Sequence, residues 1–524
     1  MEKPIVKEQV VDLDYIASKK IKSVFIPPDS EAKITYTVEC PELMYFSDLR
    51  FFSNNVIDTL TYEIDVPNTF RFEHNFLHKD SLNYIVMDST VINDFSRWTI
   101  NAVPKKTEPD ILTYFGIYKN KKNPLMRTIV VPQSYEKEAL KYMNDWYLGE
   151  VKATKGLDAG AVKKIDELTK GIWDKNEIME TLYDYVHNNF KYVAIEIGMG
   201  AFIPSHVDKV FLRKEGDCKD LSNFLSEALN YKGIKSDIAL AATYNHISDC
   251  DFPSLSSANH VVCVAYIDGT PIILDPTDPI HYPHSPVESL QDRTIFIVDP
   301  DGGTLMHVDK FNNQQNLITY NINLSIDPDQ MVLLGNFQTK YHGISGNFLR
   351  RAFEYLNDDK VNTSGNKYFE AVFGNQSVKN FNIQHKTKTI LANGDLSIHS
   401  RLFDGGDNYI LLMDFLPSLL EFENSNSLLD GVHLGTNFNK VVHVNIDLGN
   451  PVTTFDPIIY QSNEEGVRMN LEISSPNDKT IQCSYEFELD YHSVDKSNLD
   501  VINKAVTAFN KTINEPILLR KKGQ

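Results

Sequence analysis

A chain of 524 residues is too long for one ordinary hydrophobic core, and at 42% hydrophobic, 11% aromatic and 23% charged it has the make-up of a folded protein, not a disordered or fibrous one. A formal charge of −20 leaves no overall attraction to nucleic acid or to an anionic membrane surface, since both need clustered Lys and Arg. Five scattered cysteines (Cys40, Cys218, Cys250, Cys263 and Cys483) make neither a disulfide framework nor paired zinc ligands, no stretch is apolar and long enough for a membrane span, and the opening MEKPIVKEQVVDLDYIASKK lacks the apolar centre of a signal peptide.

From about Lys33 to Pro132 apolar residues recur with period two. In AKITYTVEC, Ile34, Tyr36 and Val38 alternate with polar residues, and in DTLTYEIDVP so do Leu60, Tyr62, Ile64 and Val66. Turn clusters at Pro27-Pro28-Asp29 and Val66-Pro67-Asn68 punctuate the pattern, so residues 1–150 read as an N-terminal antiparallel β-sandwich. After Ser134 the period changes. Residues 134–148 and 159–172 read as helices, and Asp174 with Glu177 resembles a capping box opening a helix with Ile178, Leu182, Tyr185 and Val186 on one face. A further helix over 218–230, then the strands HVVCVAYI and PIILD, make 151–305 a mixture of helices and sheet. Beyond Met306 period two returns: Ile318, Tyr320, Ile322, Leu324 and Ile326, then Val442, Val444 and Ile446, then Ile481, Cys483, Tyr485, Phe487 and Leu489. Residues 306–524 therefore read as a second antiparallel β-sandwich, closed by an amphipathic helix capped at Ser497 with Leu499, Ile502, Val506 and Phe509 in one stripe. The fold class is α+β.

The segment KEGDCKDLSNFLSEALNYKGI puts Cys218 at the opening turn of a helix whose core face is Leu221, Phe224, Leu225, Ala228 and Leu229 and whose stop is Gly233. Unpaired N–H groups and the helix dipole at such a turn favour a thiolate and suit an oxyanion. The flanking charges Glu215, Asp217, Lys219 and Asp220 point to an exposed or cleft-lining turn, and Gly216 allows close backbone approach. Forty-two residues on, His260 opens HVVCVAYI, and Asp268-Gly269 gives a two-residue hairpin turn. If Ile267 pairs with Thr270, Val262 falls opposite Asp275, and His260 lies on the same face as a diagonal neighbour, near enough for imidazole and carboxylate to meet. Such an Asp fixes the ring tautomer and stabilises the imidazolium. Each residue alone has a plain structural reading: Cys218 as a small core residue, His260 as a strand end, Asp275 as a turn-starter before Pro276. Their joint geometry points to nucleophile, base and orienting acid.

The runs KYVAIEIGMGAFIPSHVDKVFLRKEGDCKDLSNFLSEALNYKGI and FPSLSSANHVVCVAYIDGTPIILDPTD resemble the transglutaminase-like superfamily, closest to its bacterial group with a GDCKD cysteine motif, an NH motif and a closing LDPT. The resemblance covers residues 174–280; the flanks resemble, more loosely, the β-domains of unknown function around such cores in exported bacterial proteins. It implies a papain-like core with Cys218 as nucleophile, His260 as base and Asp275 as orienting acid. It further implies thiolate attack on an amide of a protein or peptide substrate to give a thioester. Water then resolves the thioester in a cysteine protease or amidase, including one acting on cell-wall peptide, and an amine resolves it in a protein-glutamine acyltransferase. Some members keep the fold without activity, which leaves a non-catalytic scaffold as the contrasting reading. A periplasmic or otherwise exported location is also an implication of the family alone. No Gln stands shortly before Cys218 to complete an oxyanion hole, and Tyr192 is the candidate by nearness in sequence.

Elsewhere, His281 and His284 lack further spaced ligands, so no metal is expected, and no cofactor. Cys263 alternates away from the His260 face into packing, and Asp217 and Asp220 are expected to cap the helix or orient its turn. Oligomeric state is not legible.

Overall fold

The structure, a computed structural model, describes residues 5–13, 16–25, 42–46, 48–52, 57–105, 123–194, 201–312, 314–354, 356–386, 389–419, 431–433, 437–449, 453, 455–490 and 493–521. The strand expected in AKITYTVEC, the turn at Pro27-Pro28-Asp29 and Cys40 lie outside them. The described residues fall into two units: those up to 105 with 123–278 and 292–308 in the first, and 279–291 with those from 309 on in the second.

In the first unit β1 (Ile5–Leu13) and β2 (Ile16–Phe25) form an antiparallel hairpin. Then follow β3 (Leu49–Arg50), β4 (Leu60–Pro67), β5 (Phe70–Leu77), β6 (Leu82–Ile92), β7 (Phe95–Pro104) and β8 (Leu125–Pro132). They make two three-stranded antiparallel sheets, ordered β3-β8-β5 and β4-β7-β6. Leu49 and Met126 from the first and Leu82, Ile100 and Ala102 from the second share one apolar cluster with Phe51. Alternation along β4 does what it implies: Leu60, Tyr62, Ile64 and Val66 turn inward and Thr61, Glu63 and Asp65 outward.

Helices follow: α1 (Ala139–Lys152), α2 (Ala159–Leu168), α3 (Lys175–Asn189), α4 (Val207–Arg213) and α5 (Cys218–Tyr231). α1 opens five residues later than the periodicity suggests. Residues 133–135 form a 3-10 turn and Glu136 takes φ +41, a backbone angle no α-helix can include. α3 begins where its capping signal stands, with the Asp174 side chain accepting from Glu177 N, and Ile178, Leu182, Tyr185 and Val186 are all buried. Between and after them run the short parallel pair β9 (Lys191–Tyr192) and β10 (Glu215–Gly216), and then β11 (Ser236–Ala241), β12 (His260–Ile267), β13 (Thr270–Leu274), β14 (Arg293–Val298) and β15 (Thr304–Val308). The last five form one antiparallel sheet ordered β13-β12-β11-β14-β15. α5 lies on β11 and β12, burying Leu221, Phe224, Leu225, Ala228 and Leu229 in the same cluster as Cys263 and Ala265. Removing a ring as central as Phe224 would cost about 3–5 kcal/mol.

In the second unit come β16 (Leu317–Asp327), β17 (Val332–His342), α6 (Gly343–Glu354), α7 (Asp358–Val372), β18 (Ser377–Lys386), β19 (Thr389–His399), β20 (Leu402–Asp404), β21 (Asn408–Leu411), β22 (Gly431–His433), β23 (Phe438–Asp447), β24 (Ile458–Glu464), β25 (Val467–Asn477), β26 (Thr480–Leu489), β27 (Ser493–Asp495), α8 (Lys496–Ile513) and β28 (Ile517–Arg520). The second β-sandwich expected from the sequence is here corrected. Among the described residues the unit is one eight-stranded sheet, ordered β18-β19-β17-β16-β23-β26-β25-β24, with β16 and β23 parallel. One face is covered by α6, α7, α8 and the small sheet β20-β21-β28, which share its apolar cluster; the other shows Asn321, Asn323, Ser325 and Gln482 to solvent. Glycines interrupt the apolar pattern of α6 and α7, which hides both helices from a reading by periodicity. Gly365, inside α7, is needed there because a Cβ would stand 1.9 Å from the Phe381 ring. α8 opens at Lys496, one residue ahead of Ser497, and Leu499, Ile502, Val506 and Phe509 are buried along it.

Candidate active site

The opening turn of α5 is built from its charged residues. Asp217 is the N-cap: its Oδ1 accepts from Asp220 N at 3.3 Å, and Asp220 Oδ2 accepts in return from Asp217 N at 3.4 Å, a reciprocal capping box. The Lys219 ammonium pairs with the Asp217 carboxylate. Ser205 N donates to Asp220 Oδ1 at 2.6 Å, and Gly216 is required because a Cβ there would lie 2.6 Å from that of Asp220. Asp217, Lys219 and Asp220 are at most 3% exposed, so of the expected exposed or cleft-lining turn the exposed form does not hold for these three charges: they are buried because they satisfy one another. Burial, and then the neighbouring Asp217 charge, pushes the Asp220 carboxyl up from its ordinary range. Cys218, first residue of the helix, is half-buried in their midst. Behind it Ser222 Oγ donates to Val261 O at 3.1 Å, Ser226 Oγ to Ser236 O at 3.0 Å and Asn223 Nδ2 to Thr154 Oγ1 at 3.0 Å. The two serine bonds tie α5 to β12 and β11, and the asparagine bond ties it to the chain just after α1.

The facing hairpin has the register its turn dictates. Asp268 (φ +51) and Gly269 (φ +82) are both left-handed, as a tight two-residue turn needs, and Ile267 pairs with Thr270 and Cys263 with Leu274. At the open end His260 Nε2 and Asp275 Oδ2 lie 2.7 Å apart. The other carboxylate oxygen, Oδ1, accepts from Thr277 N at 2.9 Å and Thr277 Oγ1 at 2.7 Å. Tyr183 Oη donates to the Asp275 carbonyl at 2.9 Å, and the His187 ring, stacked on Tyr183, reaches Pro276 O at 3.2 Å. Asp275 is 2% exposed, with both side-chain oxygens satisfied.

Cys218 lies within electrostatic reach of the His260 ring, and since Nε2 is engaged by Asp275, Nδ1 is the ring nitrogen left to a further partner. Burial alone would pull the His260 pKa down; the Asp275 charge and hydrogen bond, with help from Cys218, outweigh it and hold the ring well above its ordinary value. For Asp275 burial pushes upward, but His260 and then Thr277 win and keep the carboxyl below the usual carboxylate range. A basic ring nitrogen beside a thiol at a helix N-terminus is equipped to take the thiol proton, and the buried carboxylate stabilises the cation that results.

Of the three side chains singled out in the sequence, His260 and Asp275 are in hydrogen-bond contact, and Cys218 opens α5 in the same unit. Thr277 was not singled out, although the Asp-Pro-Thr spacing of an Asx-turn signals a residue that folds back onto the carboxylate. Cys263 is fully buried, as are Cys250 and Cys483, and all four described cysteines are free. Tyr192 is half-exposed, and its backbone pairs with Gly216, two residues before Cys218. His281 is buried in the second unit and His284 takes φ +63; among the described residues no group of three or more His, Cys, Asp or Glu could hold a metal ion.

No family model matches the sequence, and no curated protein does. A solved structure does: a putative protease from Parabacteroides distasonis ATCC 8503, at a TM-score of 0.53 and 11% sequence identity, over 90% of this chain and 74% of that one. The chain shares its fold with that protein. At this identity the likeness concerns the path of the backbone, and it spans helices and sheets alike, in keeping with the α+β class. No helix among the described residues is long and apolar enough to cross a membrane.

Proposed function

We propose that residues 151–305 form a transglutaminase-like, papain-like catalytic domain that hydrolyses an amide of a protein or peptide, with Cys218 as nucleophile, His260 as base and Asp275 as orienting acid. The observation that carries this reading is the His260 ring, engaged by the buried Asp275 carboxylate at 2.7 Å, with Cys218 at the first turn of α5 packed on the apolar cluster that holds Val261, the residue next to His260. Cys218 passes its proton to His260, and the thiolate attacks the amide carbonyl carbon. The carbonyl oxygen, now negative, faces the N–H groups of Cys218 and Lys219 at the start of α5, Asp220 N being taken by the Asp217 cap. His260 returns the proton to the leaving amine as the C–N bond breaks, which leaves a thioester on Cys218. Water gives a proton to His260 and attacks the thioester; the acid departs and the thiol regains its proton. Asp275, pinned by Thr277, holds the ring and stabilises each imidazolium that forms. Hydrolysis is preferred to cross-linking because water is always at hand. A fold similar to that of a putative protease is in keeping with this reading.

The test is digestion of a proteome-derived peptide pool in H₂¹⁸O, with products read by mass spectrometry. New carboxyl termini carrying one ¹⁸O, produced by the parent and absent with Cys218→Ala, are expected. The same products from Cys218→Ala would overturn the reading, and amine-linked products would replace hydrolysis with acyl transfer.

A further inference from the structure

In the first unit a long loop, residues 242–259, joins β11 to β12; its one regular element is the 3-10 turn Leu255–Ser257, and its last residue adjoins His260. A loop of this length costs entropy to order and keeps one shape only where neighbours satisfy its backbone. Arg293 of β14 holds the first half. Its Nε donates to Ala242 O at 2.9 Å and its Nη2 to His246 O at 3.1 Å and to Ser248 O, while Thr294 N donates to the Asp249 carboxylate at 3.1 Å. Arg127 of β8, from a different sheet, holds the next stretch. Its Nη1 donates to Asp249 O at 3.2 Å and pairs with the Asp251 carboxylate, and its guanidinium stands 5.1 Å from the centre of the Phe252 ring. Its Nη2 donates to Asn75 Oδ1 at 2.7 Å, Asn75 being the residue opposite it on β5. Arg127 is buried.

The two halves of the loop are tied to each other as well. Ser248 Oγ donates to Ser257 Oγ at 3.0 Å, and the His246 ring meets Ser256 O through Nε2 at 2.9 Å. At the mouth, Asn259 Oδ1 accepts from Thr243 N at 2.9 Å and Asn259 Nδ2 donates to Thr243 Oγ1 at 2.8 Å. A shift of Asp249–Phe252 is therefore carried to Asn259 and His260, because no slack segment lies between. At the far end the His260–Asp275 contact of 2.7 Å leaves little tolerance, since a hydrogen bond weakens steeply with length and angle. The same loop supplies Phe252, Leu255 and Ala258 to the apolar cluster on which Cys218 packs. Arginine suits this place because its planar fork bonds a carbonyl, a carboxylate and an amide at once, which a lysine ammonium does not reproduce.

We infer that Arg127 is a positioning residue, which through the loop 242–259 holds His260 in contact with Asp275; the inference rests on His260 serving Cys218 as base. It is tested on full-length Arg127→Met and Arg127→Lys proteins by imidazole NMR titration of His260, by the rate of Cys218 alkylation near neutral pH, and by urea unfolding. Arg127→Met keeps the apolar stem without the fork, and it is expected to lower the His260 pKa and to slow alkylation about fivefold or more. Arg127→Lys keeps the charge that faces Asp251, and its values are expected between those of the parent and Arg127→Met. A residue that only stabilises the fold would lower urea stability and leave both readouts of the folded protein at parent values, and that result for Arg127→Met would overturn the inference. If Arg127→Met does not fold, Arg127→Lys decides: a lowered His260 pKa supports the inference and an unchanged one overturns it. Failure of the underlying reading is a separate outcome, seen when His260→Ala alkylates at the parent rate.

Discussion

The two large sheets of the molecule use the same alternation differently. In the eight-stranded sheet of the second unit one face is covered and the other is open, so polar residues such as Asn321, Asn323 and Gln482 fill every second position and meet water. In the five-stranded sheet of the first unit the inner strand β12 is closed on both faces: Val261 and Cys263 on one side, Val262 and Val264 on the other, are all buried. A strand closed on both faces can carry a polar side chain cheaply only at its ends, and there His260 stands, with Asp275 directly after β13. In the open sheet a polar residue signals only solvent; in the closed sheet it signals a bonded partner.

The largest expected effect lies where charge is buried deepest. Asp217→Ala removes the cap of α5 and strands the Lys219 ammonium, so urea unfolding should show a loss of about 3–5 kcal/mol. Asp275→Asn keeps the shape and removes the charge that raises His260. The His260 pKa, followed by imidazole NMR, should therefore fall, and the alkaline limb of any Cys218-dependent rate should move to lower pH. The same pair sets a stability window. The raised His260 contributes stability that is whole below its unfolded pKa of about 6.5 and lost as pH rises through the folded value; the depressed Asp275 contributes stability that is whole above its unfolded pKa of about 3.9 and lost as pH falls through the folded value. The stability gap between parent and Asp275→Asn should thus be widest between roughly pH 4 and 6.5. The smallest effects contrast the sheets directly. Val264→Thr hides a hydroxyl in the closed sheet and should cost about 1–3 kcal/mol, whereas Gln482→Ala on the open face should stay within about 0.5 kcal/mol. Similar costs for the two would remove the distinction.

Much of the site was legible because local rules fix it. The Asp268-Gly269 turn sets the β12–β13 register, and that register carries His260 to Asp275. The apolar stripe of α5 and its Asp217 start set where Cys218 falls. Less legible were features that depend on distant partners. Lys219 and Asp220 looked exposed by type, yet Asp217 and Ser205 make their burial tolerable. Helices α6 and α7 were hidden by Gly346 and Gly365, whose missing Cβ answers to Tyr341 and Phe381, neighbours that the local pattern does not name. α1 opens later than its periodicity predicts because Glu136 adopts a positive φ that its residue type gives no reason to expect. The wide sheet of the second unit was read as two because strand alternation reports a buried face without reporting whether helix or sheet covers it.

The central claim is that His260 arms Cys218. It is tested most directly by the rate of iodoacetamide alkylation near neutral pH, with the adduct located by mass spectrometry, in the parent and in His260→Ala. Burial pushes the thiols of Cys250, Cys263 and Cys483 up, so Cys218 should react ahead of all three, and its rate should drop about tenfold or more without His260. Equal rates in the two proteins, or a Cys218 that does not react in the parent, would contradict the account and favour a scaffold over an enzyme.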